Sequence, residues 1–127
     1  MFTFDPEHPY PPHLSHPDHR AVGRTTLDAV APLARSRLAL GGESQLSALA
    51  PHRVGEVWLF ASDAQDTPLD ITLSLERKIA ARLAHVSQTR DAQALRESWT
   101  RRAARFGVPH GLTAAEKFKV LRIPPRA

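Results

Sequence analysis

The sequence predicts a layered α/β protein, and three observations carry that prediction. Val57-Trp58-Leu59-Phe60 is a continuous apolar run too short for a helix, bounded by Gly55 and by the polar stretch from Ser62 to Gln65, so it reads as a buried strand. Phe2-Thr3-Phe4, aromatic and β-branched, reads as the end of another strand. Two stripes at helical spacing, Val22/Ala29/Val30/Leu33 and Leu75/Ile79/Leu83/Val86, supply amphipathic helices. Strands alternating with such helices bury their apolar faces against one another in layers.

In chain order, the first triplet leads into a loop over residues 5–17, where five of the eleven prolines and three of the seven histidines crowd together. Proline lacks a backbone donor, so this stretch reads as extended loop, and loops carry function disproportionately. The first helix is expected over 17–35. Gly41-Gly42 and the Ser/Ala/Leu mixture up to Pro51 have no period and read as loop with one short helical turn at most. After the strand at Val57, a short extended piece covers 69–71, and Thr72 is the expected N-cap of the second helix. The third helix is expected over 91–106, stopped by Gly107 as a C′ residue. Residues 114–118 read as weakly helical, followed by extended Val120-Leu121-Arg122-Ile123 and the terminating pair Pro124-Pro125. There is no internal repeat.

Composition excludes whole classes of function. At 127 residues with 42% hydrophobic and 24% charged residues, the chain has the size of one domain and can bury a core. Cysteine is absent, which removes disulfide scaffolds, thiolate zinc fingers, iron–sulfur clusters and cysteine nucleophiles, so any metal must be held by His, Asp or Glu. No window approaches the roughly 18 apolar residues of a membrane helix. The opening MFTFDPEHPY has neither a basic nor an apolar signal region, and a cytoplasmic protein is expected. Seventeen basic against thirteen acidic residues leave a net charge of only +4, and the densest basic run, Arg101, Arg102 and Arg105 near Arg96, reads as the solvated face of the third helix. No nucleic-acid partner is expected. Neither a G-x-S-x-G elbow nor a glycine-rich phosphate loop occurs, so serine-hydrolase, P-loop and dinucleotide readings have no support.

The chemistry concentrates in His16-Pro17-Asp18-His19. Proline disfavours an α conformation in the residue before it and suits the first helical turn, which places His16 at the N-cap and Pro17 at the first helical position. Residues three apart on a helix have Cβ atoms roughly 5 to 6 Å apart, so the imidazoles of His16 and His19 can point into one site. Asp18 can complement the positive helix end or fix a histidine tautomer. On spacing alone two readings stand: a shared site, or two capping residues and a surface histidine. His85 reads as a satisfied histidine at a helix end, and His52 and His110 as loop residues. His8 and His13 are close enough to crowd one pocket, in directions the intervening prolines leave open.

The segment from His16 to Gly23, followed by Leu27-Asp28-Ala29-Val30, resembles the second signature of the LmbE-like, GlcNAc-phosphatidylinositol de-N-acetylase family of zinc hydrolases. Val57 to Phe60, Asp70-Ile71-Thr72, Leu75 to Ala80, Ala84 to Gln88 and Glu116 to Leu121 resemble later segments of that family in the same order, so the likeness spans essentially the whole chain. The resemblance implies a Rossmann-like three-layer α/β/α deacetylase domain that removes an N-acetyl group from an aminosugar conjugate with the help of Zn2+. It implies that His19 is a zinc ligand, that His16 acts as general acid or oxyanion stabiliser, and that Asp18 orients it.

The chain also departs from the pattern. The family's H-P-D-D motif, which supplies a His and an Asp ligand and the general base, does not occur in it. Residues 1–127 are therefore expected to be the C-terminal half of such a domain, inactive in isolation. A non-catalytic metal- or partner-binding α/β module derived from the family is the alternative, and the oligomeric state, homo-oligomer included, stays open. Loss of neighbouring strands would leave Phe4, Trp58, Leu59 and Phe60 uncovered.

Overall fold

A computed structural model of the chain describes residues 1–7, 16–37 and 49–125. Strand β1 (Phe2–Phe4), helix α1 (Pro17–Val30) and strand β2 (Glu56–Phe60) form a β-α-β unit, with Phe2 opposite Trp58, Thr3 opposite Leu59 and Phe4 opposite Phe60 in parallel register. Parallel neighbours need a crossover connection, and α1 lies within it. Strand β3 (Thr67–Asp70), helix α2 (Leu75–Leu83), helix α3 (Ala92–Gly107) and strand β4 (Ala115–Arg122) follow. Strand β4 runs antiparallel to β2, pairing Val57 with Leu121 and Leu59 with Lys119, and the four-stranded sheet has the order β1-β2-β4-β3. This mixed sheet with its helices is the α/β architecture the sequence predicts.

The chain divides into two compact units, Met1–Gln65 with Phe118–Ala127, and Asp66–Lys117. In the first, burial alternates along β2: Val57 and Leu59 join Val30 of α1 in a core that Leu27, Val54, Leu121 and Ile123 complete. Each such side chain contributes roughly 1.5 to 3 kcal/mol by leaving water. Thr3 is buried beside them, and its hydroxyl donates to Thr26 Oγ1 at 3.2 Å, which offsets the cost of burying a polar group. The opposite strand face is aromatic, with the rings of Phe2, Trp58 and Phe118 packed 5.5 to 5.6 Å apart. In the second unit Ile71, Ala103 and Ala114 cluster with Leu75, and Ile79 is fully buried. Ion pairs join Lys78 to Glu116 and Arg96 to Glu76.

Several local expectations are corrected. Helix α1 stops at Val30 rather than running to residue 35: Pro32 disfavours an α conformation at Ala31, which is extended, and a single 3-10 turn at Leu33–Arg35 follows. Its inward face is Gly23, Thr26, Leu27 and Val30, while Val22 and Ala29 point outward. Thr72 is not an N-cap; Ser74 precedes α2. Val86 lies in a 3-10 turn and is 78% exposed, so it leaves the stripe at Leu83. Gly107 is the last residue of α3 with an ordinary helical φ, and the left-handed residue is Gly111 at φ 71°. What Gly107 provides is closeness, since a Cβ there would stand 2.5 Å from the Leu112 carbonyl oxygen. Residues 114–118 are not helical: from Ala115 they belong to β4, whose ladder overrides the helix propensity of Ala-Glu-Lys. Leu59 is buried rather than uncovered, and Phe4, Trp58 and Phe60 are half-buried.

Candidate active site at the head of helix α1

The site begins where backbone chemistry places it. His16 is the N-cap of α1, with φ −58° and ψ 138°, and Pro17 opens the helix. The His16 carbonyl accepts from the backbone N–H of His19 and Arg20 at 3.0 and 3.2 Å, and its Nδ1 accepts from the Asp18 N–H at 3.2 Å. A ring nitrogen thus takes the capping role usually held by a side-chain oxygen. An Nδ1 that accepts a hydrogen bond carries no proton of its own, so this contact assigns the neutral His16 ring its proton on Nε2.

Asp18 has a second relationship with the same ring. Its carboxylate Oδ2 lies 3.5 Å from His16 Nδ1 and is largely open to solvent. The capping contact is the shorter and belongs to the neutral ring; a protonated ring would turn its Nδ1–H to the carboxylate instead. Asp18 can therefore serve His16 through its amide in one protonation state and through its side chain in the other.

His19 is one turn further on, its ring centroid 5.5 Å from that of His16. It lies flat on Phe4, with centroids 3.9 Å apart and planes inclined by 6°. Phe4 is buttressed in turn by the edge of Phe60 at 4.2 Å. The start of the following loop is tied down: Asp5 N–H donates to the Phe60 carbonyl at 3.0 Å, and Glu7 pairs with Arg24 of α1 at 3.2 Å. His16, Asp18 and His19 thus stand together at the head of α1. Phe4 and Gly23 complete the arrangement in roles the sequence does not assign them: Phe4 is expected only as a strand residue and Gly23 only as the end of the His16 to Gly23 segment. His8 and His13 lie outside the described residues.

Elsewhere, Arg101, Arg102 and Arg105 lie on an exposed face of α3, as expected, and His110 ends a 3-10 turn. His85 precedes a 3-10 turn at the end of α2. His52 and His110 stand outside the sheet and the α-helices. Arg101 pairs with Glu97, and Arg102 and Arg105 lie over Phe106. In the second unit a cavity of about 380 Å3 is lined by Ile71, Ser74, Arg77, Lys78, Ala81 and Glu116. Burial holds the Lys78 ammonium below the ordinary lysine range, with the like charge of Arg102 adding to it. Asp70 is held below the ordinary carboxylate range because its carboxylate accepts from the Thr72 hydroxyl at 2.6 Å and from the Thr72 N–H at 2.8 Å.

The structure is similar to that of N,N'-diacetylchitobiose deacetylase from Pyrococcus horikoshii, solved with its inhibitor MPG, at a TM-score of 0.75 and 27% sequence identity, with 95% of this chain and 45% of that chain covered. The chain has a deacetylase-like α/β fold. It spans less than half the length of the deacetylase it matches. No family model matches the chain, and no curated protein does.

A deacetylase-like fold raises the question of a metal. The donors at the head of α1 fit zinc in kind, because neutral imidazole is among its ordinary ligands. They fall short in number: among the described residues no three His, Cys, Asp or Glu side chains converge in a way that could hold an ion. Nor, among those residues, is any helix long and apolar enough to cross a membrane.

Proposed function

We propose that the chain carries part of the active site of an N-deacetylase acting on N-acetylated aminosugars. The observation that carries this reading is the pairing of His16 and His19, ring centroids 5.5 Å apart at the head of α1, in a fold similar to that of a diacetylchitobiose deacetylase. Amide hydrolysis needs a group that neutralises the developing oxyanion and one that protonates the departing amine, and a positioned imidazolium does both, becoming neutral imidazole as it gives up its proton. His16, whose protonated ring would have the Asp18 carboxylate beside Nδ1 and Nε2–H free to donate, is the group we assign to that work. His19 is assigned as a ligand of zinc, which when bound would supply a polarised carbonyl and an acidified water. Residues 1–127 correspond, on this reading, to the C-terminal half of the domain, and the remaining ligands come from outside the described residues.

The test is acetate release from N,N'-diacetylchitobiose with added zinc, measured for the chain alone and mixed with a polypeptide bearing the family's H-P-D-D segment. Turnover that appears on mixing and disappears with His19→Ala is expected. Turnover unaffected by His19→Ala would overturn the assignment. A second reading, a non-catalytic partner-binding module, draws support from Phe2, which is 57% exposed on the edge strand β1. Stable, soluble, zinc-indifferent behaviour with no turnover under any condition would favour it.

A further inference from the structure

We infer that Phe4 is a positioning residue for His19 and that Gly23 is the residue that makes this possible; the inference rests on the reading of His19 as a working group. An imidazole engages a metal or a proton through a nitrogen in the plane of its ring, so a neighbour that covers one face leaves that chemistry free and fixes the plane in which it occurs. Phe4 is such a neighbour, stacked 3.9 Å from His19 at an inclination of 6°. It is not itself free to turn, because Phe60 meets it edge-on at 4.2 Å and because its backbone lies in the ladder opposite Phe60.

The stack requires α1 to pass very close to the end of β1. Gly23 stands four residues beyond His19, on the same helix face, and is buried. A Cβ at this position would lie 2.5 Å from the Phe4 carbonyl oxygen and 3.1 Å from the Pro6 nitrogen. One residue of β1 thus meets α1 twice, through its ring at His19 and through its carbonyl at Gly23. That double contact sets the direction of the His19 nitrogens relative to His16.

Imidazole NMR of the native chain, Phe4→Ile and Phe4→Tyr, with zinc chloride titrated into each, tests the inference. Isoleucine suits a strand and keeps the bulk but removes the flat face; tyrosine keeps the face. In the native chain the His19 ring protons are expected upfield of those of His52 and His110. That shift is expected to vanish in Phe4→Ile and persist in Phe4→Tyr. The zinc midpoint at His19 is expected to rise on the order of tenfold in Phe4→Ile, the scale for losing a group that orients a ligand, with Phe4→Tyr close to native. An unshifted His19 in the native chain overturns the inference whether or not Phe4→Ile folds, and so does a folded Phe4→Ile with an unchanged midpoint. A His19 that zinc perturbs in none of the three chains, even when each is mixed with the polypeptide bearing the H-P-D-D segment, overturns instead the metal role from the functional reading, while the ring shift still reports the stack.

Discussion

The amide of Asp18 donates to His16 Nδ1 at 3.2 Å, so the first residue of the candidate site is also the residue that caps its helix. Replacing His16 with Ala therefore has two separable costs. Losing an N-cap removes about 1 kcal/mol of stability. His16→Asn is expected to restore that stability in urea denaturation without restoring any activity that depends on an imidazole.

Gly23 offers a sharper steric test. Ala is the better helix former by about 1 kcal/mol, so in an open helix Gly23→Ala would stabilise. Here the added Cβ would meet the Phe4 carbonyl at 2.5 Å, backbone that cannot swing aside. The expected result is net destabilisation of about 1 to 3 kcal/mol, the usual scale of overpacking, read from the urea midpoint at unchanged slope.

Along the second stripe, Ile79 and Val86 are predicted by the same spacing but lie at opposite extremes of burial, 0% and 78% exposed. Ile79→Ala is expected to cost about 2 to 5 kcal/mol, and Val86→Ala to stay within about 0.5 kcal/mol of native. Equal costs would show that the stripe continues past Leu83.

Asp70 gives a pH dependence of definite sign. Its carboxyl is held below the ordinary value in the folded chain by the Thr72 hydroxyl and N–H, so the folded state binds this proton more weakly than the unfolded one. The contribution is present above the ordinary aspartate value of about 4 and is lost as pH falls through the lower folded value. Acid titration of the melting temperature is expected to fall less steeply below that point in Asp70→Asn than in the native chain.

The positions of β1 and β2 were legible because nothing else could accommodate them: Val57 to Phe60 is too apolar to expose and too short to coil. The start of α1 was legible because Pro17 has few other places to be. The ends of elements were not. Thr72 has the right chemistry for a cap, yet its hydroxyl donates to Asp70 and accepts from the Ala114 N–H at 3.3 Å, a partner 42 residues away that no local pattern announces. The Ala115–Arg122 strand was half hidden for the same reason, its pairing being non-local. The candidate site follows this division. His16 and His19 are three apart and were found by spacing, whereas Phe4 stands fifteen residues before His19 in sequence and their stacking emerged only with the fold.

The most direct test of the account measures zinc content and acetate release together on the complemented protein. His19→Ala is predicted to lose both. His16→Ala is predicted to keep its zinc and lose rate by a factor on the order of 100 or more, the scale of removing an acid or an oxyanion donor. Loss of zinc from His16→Ala, or zinc and turnover both retained in His19→Ala, would contradict the roles assigned at the head of α1.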